Sequence, residues 1–347
     1  MRRPLVLGLV VAAVVAIAAA VVAGILVSQA VARENALTRA QAAEADLRDV
    51  LGEAEATRSE ADEVLALAAD PLLPADAVAP VAEGRDAVDA GLAEADEALA
   101  ADLDTLDTPA LDENATGLRT LAGALEADDA AVDAALDALL DALVAAGPTV
   151  EAESFDGNNA PRIAFRSAID ALGAASPDQV GETIDGYLDA AHGLEASHAA
   201  ELAEKAGPLF DARMAVQEFA RSMSGGVMLE FDWAVTVNGY GTGGSYGGTS
   251  YWLVADGGQA TITLSDSVAA QWPGAGVQAL VVHEVGHAIL ARQDCNVLFF
   301  ESELYPGEEE SWATAWAIGL GYTADGSGES IYGRPSEQLI ALSQECR

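Results

Sequence analysis

Gln278-Ala279-Leu280-Val281-Val282-His283-Glu284-Val285-Gly286-His287-Ala288-Ile289-Leu290 is an H-E-x-x-H run with an apolar lead-in and an apolar exit. Its composition predicts a buried helix. On a helix, residues four apart share a face, so His283 and His287 can both reach a single ion. Zinc favours imidazole nitrogen, and Glu284 sits one step round, where it can polarise a water held at the ion. The chain has four histidines, and two of them stand at this spacing. Burying His, Glu and His together without partners would be costly, which argues for a ligand. Gly286 costs roughly 1 kcal/mol against Ala inside a helix, so something is expected to pack closely against that turn.

A zinc site that acts on a substrate takes three protein ligands and keeps a fourth position open. Downstream, Glu308-Glu309-Glu310-Ser311-Trp312-Ala313-Thr314-Ala315-Trp316-Ala317 reads as an acidic start followed by a helix packed through its tryptophans and alanines. With these two segments the chain resembles the gluzincin metallopeptidases, in which a glutamate from a second helix completes the site, often in a Glu-x-x-Ala-Asp/Asn pattern. Glu310-Ser311-Trp312-Ala313-Thr314 fits that pattern except at Thr314, where the family places the acidic or amide residue that orients a ligand histidine. The resemblance implies zinc held by His283, His287 and Glu310, with Glu284 as the general base and Trp312 and Trp316 bracing the ligand helix. Thr314 would be a weaker acceptor for an imidazole N–H.

Two other glutamates stay open as the third ligand. Glu309 would exchange with Glu310 if the helix began one residue earlier. Glu329 lies in Gly326-Ser327-Gly328-Glu329-Ser330-Ile331-Tyr332-Gly333, a loose echo of the aspzincin segment. The metzincin extension fails, because Leu290 and Gln293 stand where Gly and His are needed. Tyr305, Tyr322 and Tyr332 are each candidates to stabilise an oxyanion.

Upstream of the motif, Val227 to Val235 reads as a strand, followed by a loop rich in Gly, Tyr and Ser from Asn238 to Thr249. Tyr251 to Ala255 and Ala260 to Leu264 read as two more strands, joined by the turn signal Asp256-Gly257-Gly258. A small antiparallel sheet before the H-E-x-x-H helix is what the zincin resemblance implies. On that resemblance Thr261 to Leu264 would be the edge that holds an extended peptide. The Gly-rich loop is either a lid over the cleft or a long connection.

The region from 34 to 222 is rich in Ala, Asp, Glu and Leu, with apolar residues at helical spacing, as in Leu118, Leu121, Leu125, Val132, Leu136, Leu139 and Leu140. Prolines, among them Pro71, Pro74, Pro80, Pro148, Pro177 and Pro208, punctuate it. A series of antiparallel helices packed as a bundle is expected, the first continuous with the segment before it. His192 and His198, six apart on a predicted helix, read as surface residues.

The uncharged apolar run from Leu5 to Val27 covers roughly 34 Å as a helix, against a bilayer core of about 30 Å. It reads as a retained membrane anchor, although Ala30-Val31-Ala32 offers a cleavage pattern. Arg2 and Arg3 place the N-terminus in the cytoplasm and the rest outside. The two cysteines, Cys295 and Cys346, would pair in an oxidising compartment. A net charge of −40, with Lys205 the single lysine, repels nucleic acid and anionic head groups and excludes those roles.

The sequence thus predicts an α+β protein: a membrane anchor over 1–33, an acidic helical region over 34–222, and a zincin-like domain over 223–347. The expected function is an extracytoplasmic zinc metallopeptidase acting on a protein or peptide. The alternative is a non-enzymatic helical binding or spacer ectodomain with a structural or vestigial metal site.

Overall fold

Nothing in the apolar N-terminal segment or the alanine-rich stretch after it breaks a helix, and the two form one. In the computed structural model, which describes residues 3–176 and 179–347, α1 runs without interruption over Arg3–Ala66. Arg2, on which the orientation partly rests, and Pro177 lie outside the described residues. Among the described residues, one helix is long and apolar enough to cross a membrane. The chain itself does not cover that stretch: Val14, Ile17 and Leu26 are 60%, 65% and 60% exposed.

Helices α2 (Ala75–Leu99) and α3 (Thr108–Glu153) follow. Ala36, Ala40, Ala43 and Leu47 recur along one face of α1, and they meet Ala95 of α2 and Leu111, Ala115, Leu118 and Ala122 of α3. Gly84 lies against Val132 and Gly91 against Leu125, so α2 and α3 run antiparallel and close together. Pro80 and Pro148 do not end helices as the sequence led us to expect. They sit inside α2 and α3. The chain divides into two compact units, Met1–Ala146 with Ile169–Gly186, and Gly147–Ala168 with Tyr187–Arg347.

The second unit takes in most of α4 (Asn159–Leu172) and α5 (Val180–Glu204) and all of α6 (Phe210–Arg221). Strands β1 (Met228–Ala234), β2 (Gly248–Leu253) and β3 (Gln259–Ser265) come next. The remaining helices are α7 (Asp266–Ala270), α8 (Ala275–Ile289), α9 (Gln293–Phe300), α10 (Glu310–Gly319), α11 (Glu329–Tyr332) and α12 (Glu337–Ser343).

The sheet is mixed, not antiparallel, with order β1-β3-β2. The predicted hairpin is present: β2 and β3 pair antiparallel from Gly248↔Leu264 to Leu253↔Gln259. Asp256, Gly257 and Gly258 turn it with φ of 57°, 84° and 97°, which suits Asp-Gly-Gly. The Gly-rich crossover carries β2 beyond β3, so β3 falls between the other two strands and pairs parallel with β1. Buried Ala260, Ile262 and Leu264 suit that central place. Thr261–Leu264 is therefore not an edge; β2 is the edge strand next to α8.

Leu229 and Phe231 of β1, Ile262 and Leu264 of β3, Val281 and Val285 of α8, and Trp312 and Trp316 of α10 share one core with Val216 and Ala220 of α6. Cys295 and Cys346 lie at disulfide distance, with Cα atoms 5.8 Å apart, and tie α9 to the C-terminus. Gly286 lets α8 and α10 approach. A Cβ there would come within 2.9 Å of Ala313 Cα and 3.0 Å of Trp316 Cβ. The Trp312 indole N–H donates to the Gly286 carbonyl at 3.0 Å. Gly286→Ala is expected to gain helix propensity yet destabilise by about 1–3 kcal/mol through overpacking, measured by urea unfolding. Unchanged or raised stability would show that α10 can move away.

Candidate functional site

Helix α8 buries its whole second half, and with it His283, Glu284 and His287, which are 4%, 4% and 9% exposed. Helix α10 begins at Glu310, so that carboxylate stands at a helix N-terminus, facing the two imidazoles. The ligand atoms of His283, His287 and Glu310 all lie within 4.8 Å of one another. Glu310 Oε2 is 3.0 Å from His283 Nε2 and 3.3 Å from His287 Nε2. Burial works against ionisation of Glu310, but the contacts with both imidazoles outweigh it and hold the carboxyl well below the ordinary range. His287 is shifted upward: burial opposes its charge, while the Glu310 hydrogen bond and the charges of Glu284, Glu310 and Glu309 favour it.

The other two glutamates are held by other partners. Glu309 takes the Trp252 indole N–H at 3.3 Å, and Glu329 sits 3.5 Å from Arg334. Thr314 does not hold an imidazole either, since its buried hydroxyl has no hydrogen-bond partner among the described residues. A backbone group that the sequence reading missed takes that place. His283 Nδ1 donates to the Ser327 carbonyl at 3.0 Å, which leaves Nε2 free to face Glu310. Only the flanking Gly326-Ser327-Gly328 signalled it. Gly328 has φ of 93°, and a Cβ on it would strike the Thr314 hydroxyl and come within 2.8 Å of the His283 ring.

Glu284 makes no hydrogen bond among the described residues, and burial pushes its carboxyl above the ordinary range against the pull of both imidazoles. The first residue of β2 makes room for it. A Cβ at Gly248 would fall 2.7 Å from Glu284 Oε1. Tyr332 stacks on His283, with ring centroids 5.9 Å apart and planes at 12°. Burial and then the charge of Glu310 push its hydroxyl up to about 12, so it stays a proton donor. Tyr305 also lines the cleft, whereas Tyr322 packs edge-on against Phe219. The Tyr246 hydroxyl donates to the Asp325 carbonyl at 2.6 Å, which fastens the Gly-rich loop to the segment that carries Ser327.

His192 is exposed, as the sequence suggested, whereas His198 is partly buried. It packs on Phe155 at 5.3 Å, and its Nδ1 accepts the Asp156 backbone N–H at 3.3 Å.

Two nitrogens and one carboxylate oxygen converge from helices α8 and α10, with one side open to a cleft. That donor set fits a divalent ion of zinc's ligand preference, with a coordination position to spare. Comparison with protein-family models, curated proteins and solved structures finds no match for this chain.

Proposed function

We propose that the chain is a membrane-anchored, extracytoplasmic zinc metallopeptidase. One observation carries the reading: His283, His287 and Glu310 offer ligand atoms within 4.8 Å of one another, beside a buried carboxylate, Glu284, that makes no hydrogen bond among the described residues. A structural zinc site is closed by four protein ligands, whereas this one has three among the described residues and opens on a cleft, which favours catalysis over a structural metal.

Bound zinc would supply Lewis acidity toward a substrate carbonyl and an attacking water. Glu284 takes the proton from that water and passes it to the leaving amine. The Tyr332 hydroxyl donates to the oxygen on which negative charge develops. The free side of β2 pairs with an extended peptide, and Gly248 keeps the strand close to Glu284. The exposed apolar stretch of α1 anchors the protein, and Cys295–Cys346 suits the oxidising side of the membrane.

The test is the zinc content of the full-length protein in detergent beside its Glu310→Ala variant. One equivalent, held markedly less tightly by the variant, is expected. No zinc in the wild type after zinc is supplied would sink the proposal. Gly328→Ala is expected to weaken zinc binding about 10–100-fold, because the added methyl and the φ of 93° shift the carbonyl that orients His283. Competition with a chelator measures this, and an unchanged affinity would show that Ser327 does not hold the ring.

A further inference from the structure

The cleft has two lobes, one mixed and one mainly polar and acidic, which meet at Asn238, Gly248, His283, Glu284 and Tyr332. One, of about 340 Å³, is walled by the aromatic and aliphatic side chains of Tyr240, Tyr246, Leu280 and Ile331, with Asp325 and Ser330 also on its lining. The other, of about 370 Å³, is walled by Thr249, Ser250, Tyr305, Glu308 and Glu309. Among the described residues, no Lys or Arg lines this second lobe. Glu309 is held in place by Trp252, and Glu308 is exposed toward solvent. Glu310 faces the imidazoles and Glu284 lies beside them, so these two carboxylates would balance a divalent charge there and leave Glu308 and Glu309 unmatched. One further group points to a donor ligand at the mouth of this lobe: Glu284, 4% exposed, makes no hydrogen bond among the described residues.

We propose that this lobe receives a cationic side chain, so that the substrate is a peptide with lysine or arginine on one side of the cut bond and a large apolar residue on the other. The inference rests on the peptidase reading above. Glu308 and Glu309 are the specificity-determining residues. Two carboxylates beside a partly desolvated groove attract an ammonium or guanidinium and repel an acidic side chain, which discriminates in both directions.

The experiment treats a peptide mixture of randomised sequence with the zinc-loaded full-length protein in detergent, and mass spectrometry reads the cut sites. Lysine or arginine is expected at one position flanking the cut about tenfold more often than glutamate, falling to about threefold or less in Glu308→Gln/Glu309→Gln. Glutamine can still accept the Trp252 N–H, so the wall keeps its shape. A second readout needs no turnover: zinc-loaded Glu284→Gln protein is titrated calorimetrically with two peptides that differ only by lysine or glutamate. The lysine peptide is expected to bind about tenfold tighter. Cleavage without a basic preference, or equal binding of the two peptides, overturns the specificity and leaves the peptidase reading standing. Failure to cut any peptide, with no zinc retained, overturns both.

Discussion

Glu284→Gln is expected to lower peptide hydrolysis by about 10²–10⁴-fold while zinc content stays at the wild-type level. The substitution keeps the shape of the side chain and removes its basicity. Glu284 is not among the three groups whose ligand atoms cluster, so the metal set stays complete. The same change is expected to stabilise the metal-free protein at neutral pH. Burial raises the folded-state pKa of this carboxyl above its unfolded value, so the folded state holds the extra proton. The unfolded chain then binds fewer protons than the folded one, and stability falls as pH rises from the unfolded pKa to the folded one. Glutamine does not titrate and escapes that loss. Thermal unfolding of chelator-treated wild type and variant across pH measures it. Activity equal to wild type would remove Glu284 from the chemistry, and parallel pH profiles would show that its burial does not strain the fold.

How much of this site the sequence could reveal depends on how local each part is. His283, Glu284 and His287 were legible because a five-residue spacing on a helix is a complete geometric statement. Glu310 was legible only as one of three candidates. Glu309 differs from it by one position, and the choice turns on where α10 starts and on Trp252, a residue 57 positions away that takes the Glu309 carboxylate. Ser327 was not legible, because a backbone carbonyl acts there and carries no residue signature. The hairpin of β2 and β3 showed itself in Asp256-Gly257-Gly258, a local turn. The parallel pairing of β1 with β3 has no such mark, since nothing near either strand says which neighbour it takes.

The same limit hid a second feature, from which Asp156→Ala is expected to cost about 3–5 kcal/mol. The Asp156 side chain is fully buried and pairs with the Lys205 ammonium and the Arg221 guanidinium, each at 2.9 Å. Lys205 also meets Glu201 at 2.7 Å. With its amide nitrogen turned to Asp156, Gln217 accepts the Trp233 indole N–H from β1. Nearby, Glu230 of β1 accepts the Asn159 backbone N–H at 2.7 Å, and the Asn159 amide donates to the Ala260 carbonyl of β3 at 3.2 Å. Helical segments before residue 222 are thus bonded into the sheet that flanks the cleft. Removing Asp156 leaves one buried and one partly buried cation short of a partner, and the loss is a large share of a typical stability of about 5–15 kcal/mol. Asp112→Ala is the control. Its pair with Arg39 is exposed by 49% on each side and is expected to be worth about 1 kcal/mol or less. Urea unfolding of the full-length protein, followed by tryptophan fluorescence, measures both, because all five tryptophans lie in the C-terminal part. Zinc retention is expected to fall with stability in Asp156→Ala and to stay unchanged in Asp112→Ala. A chain cut to begin at Met223 loses Asp156, Lys205 and α6 together, and is expected not to hold the site at all. A folded, zinc-binding Met223 fragment would show that the sheet and α8 suffice alone, and that the buried ionic cluster only fastens a separable helical part to them.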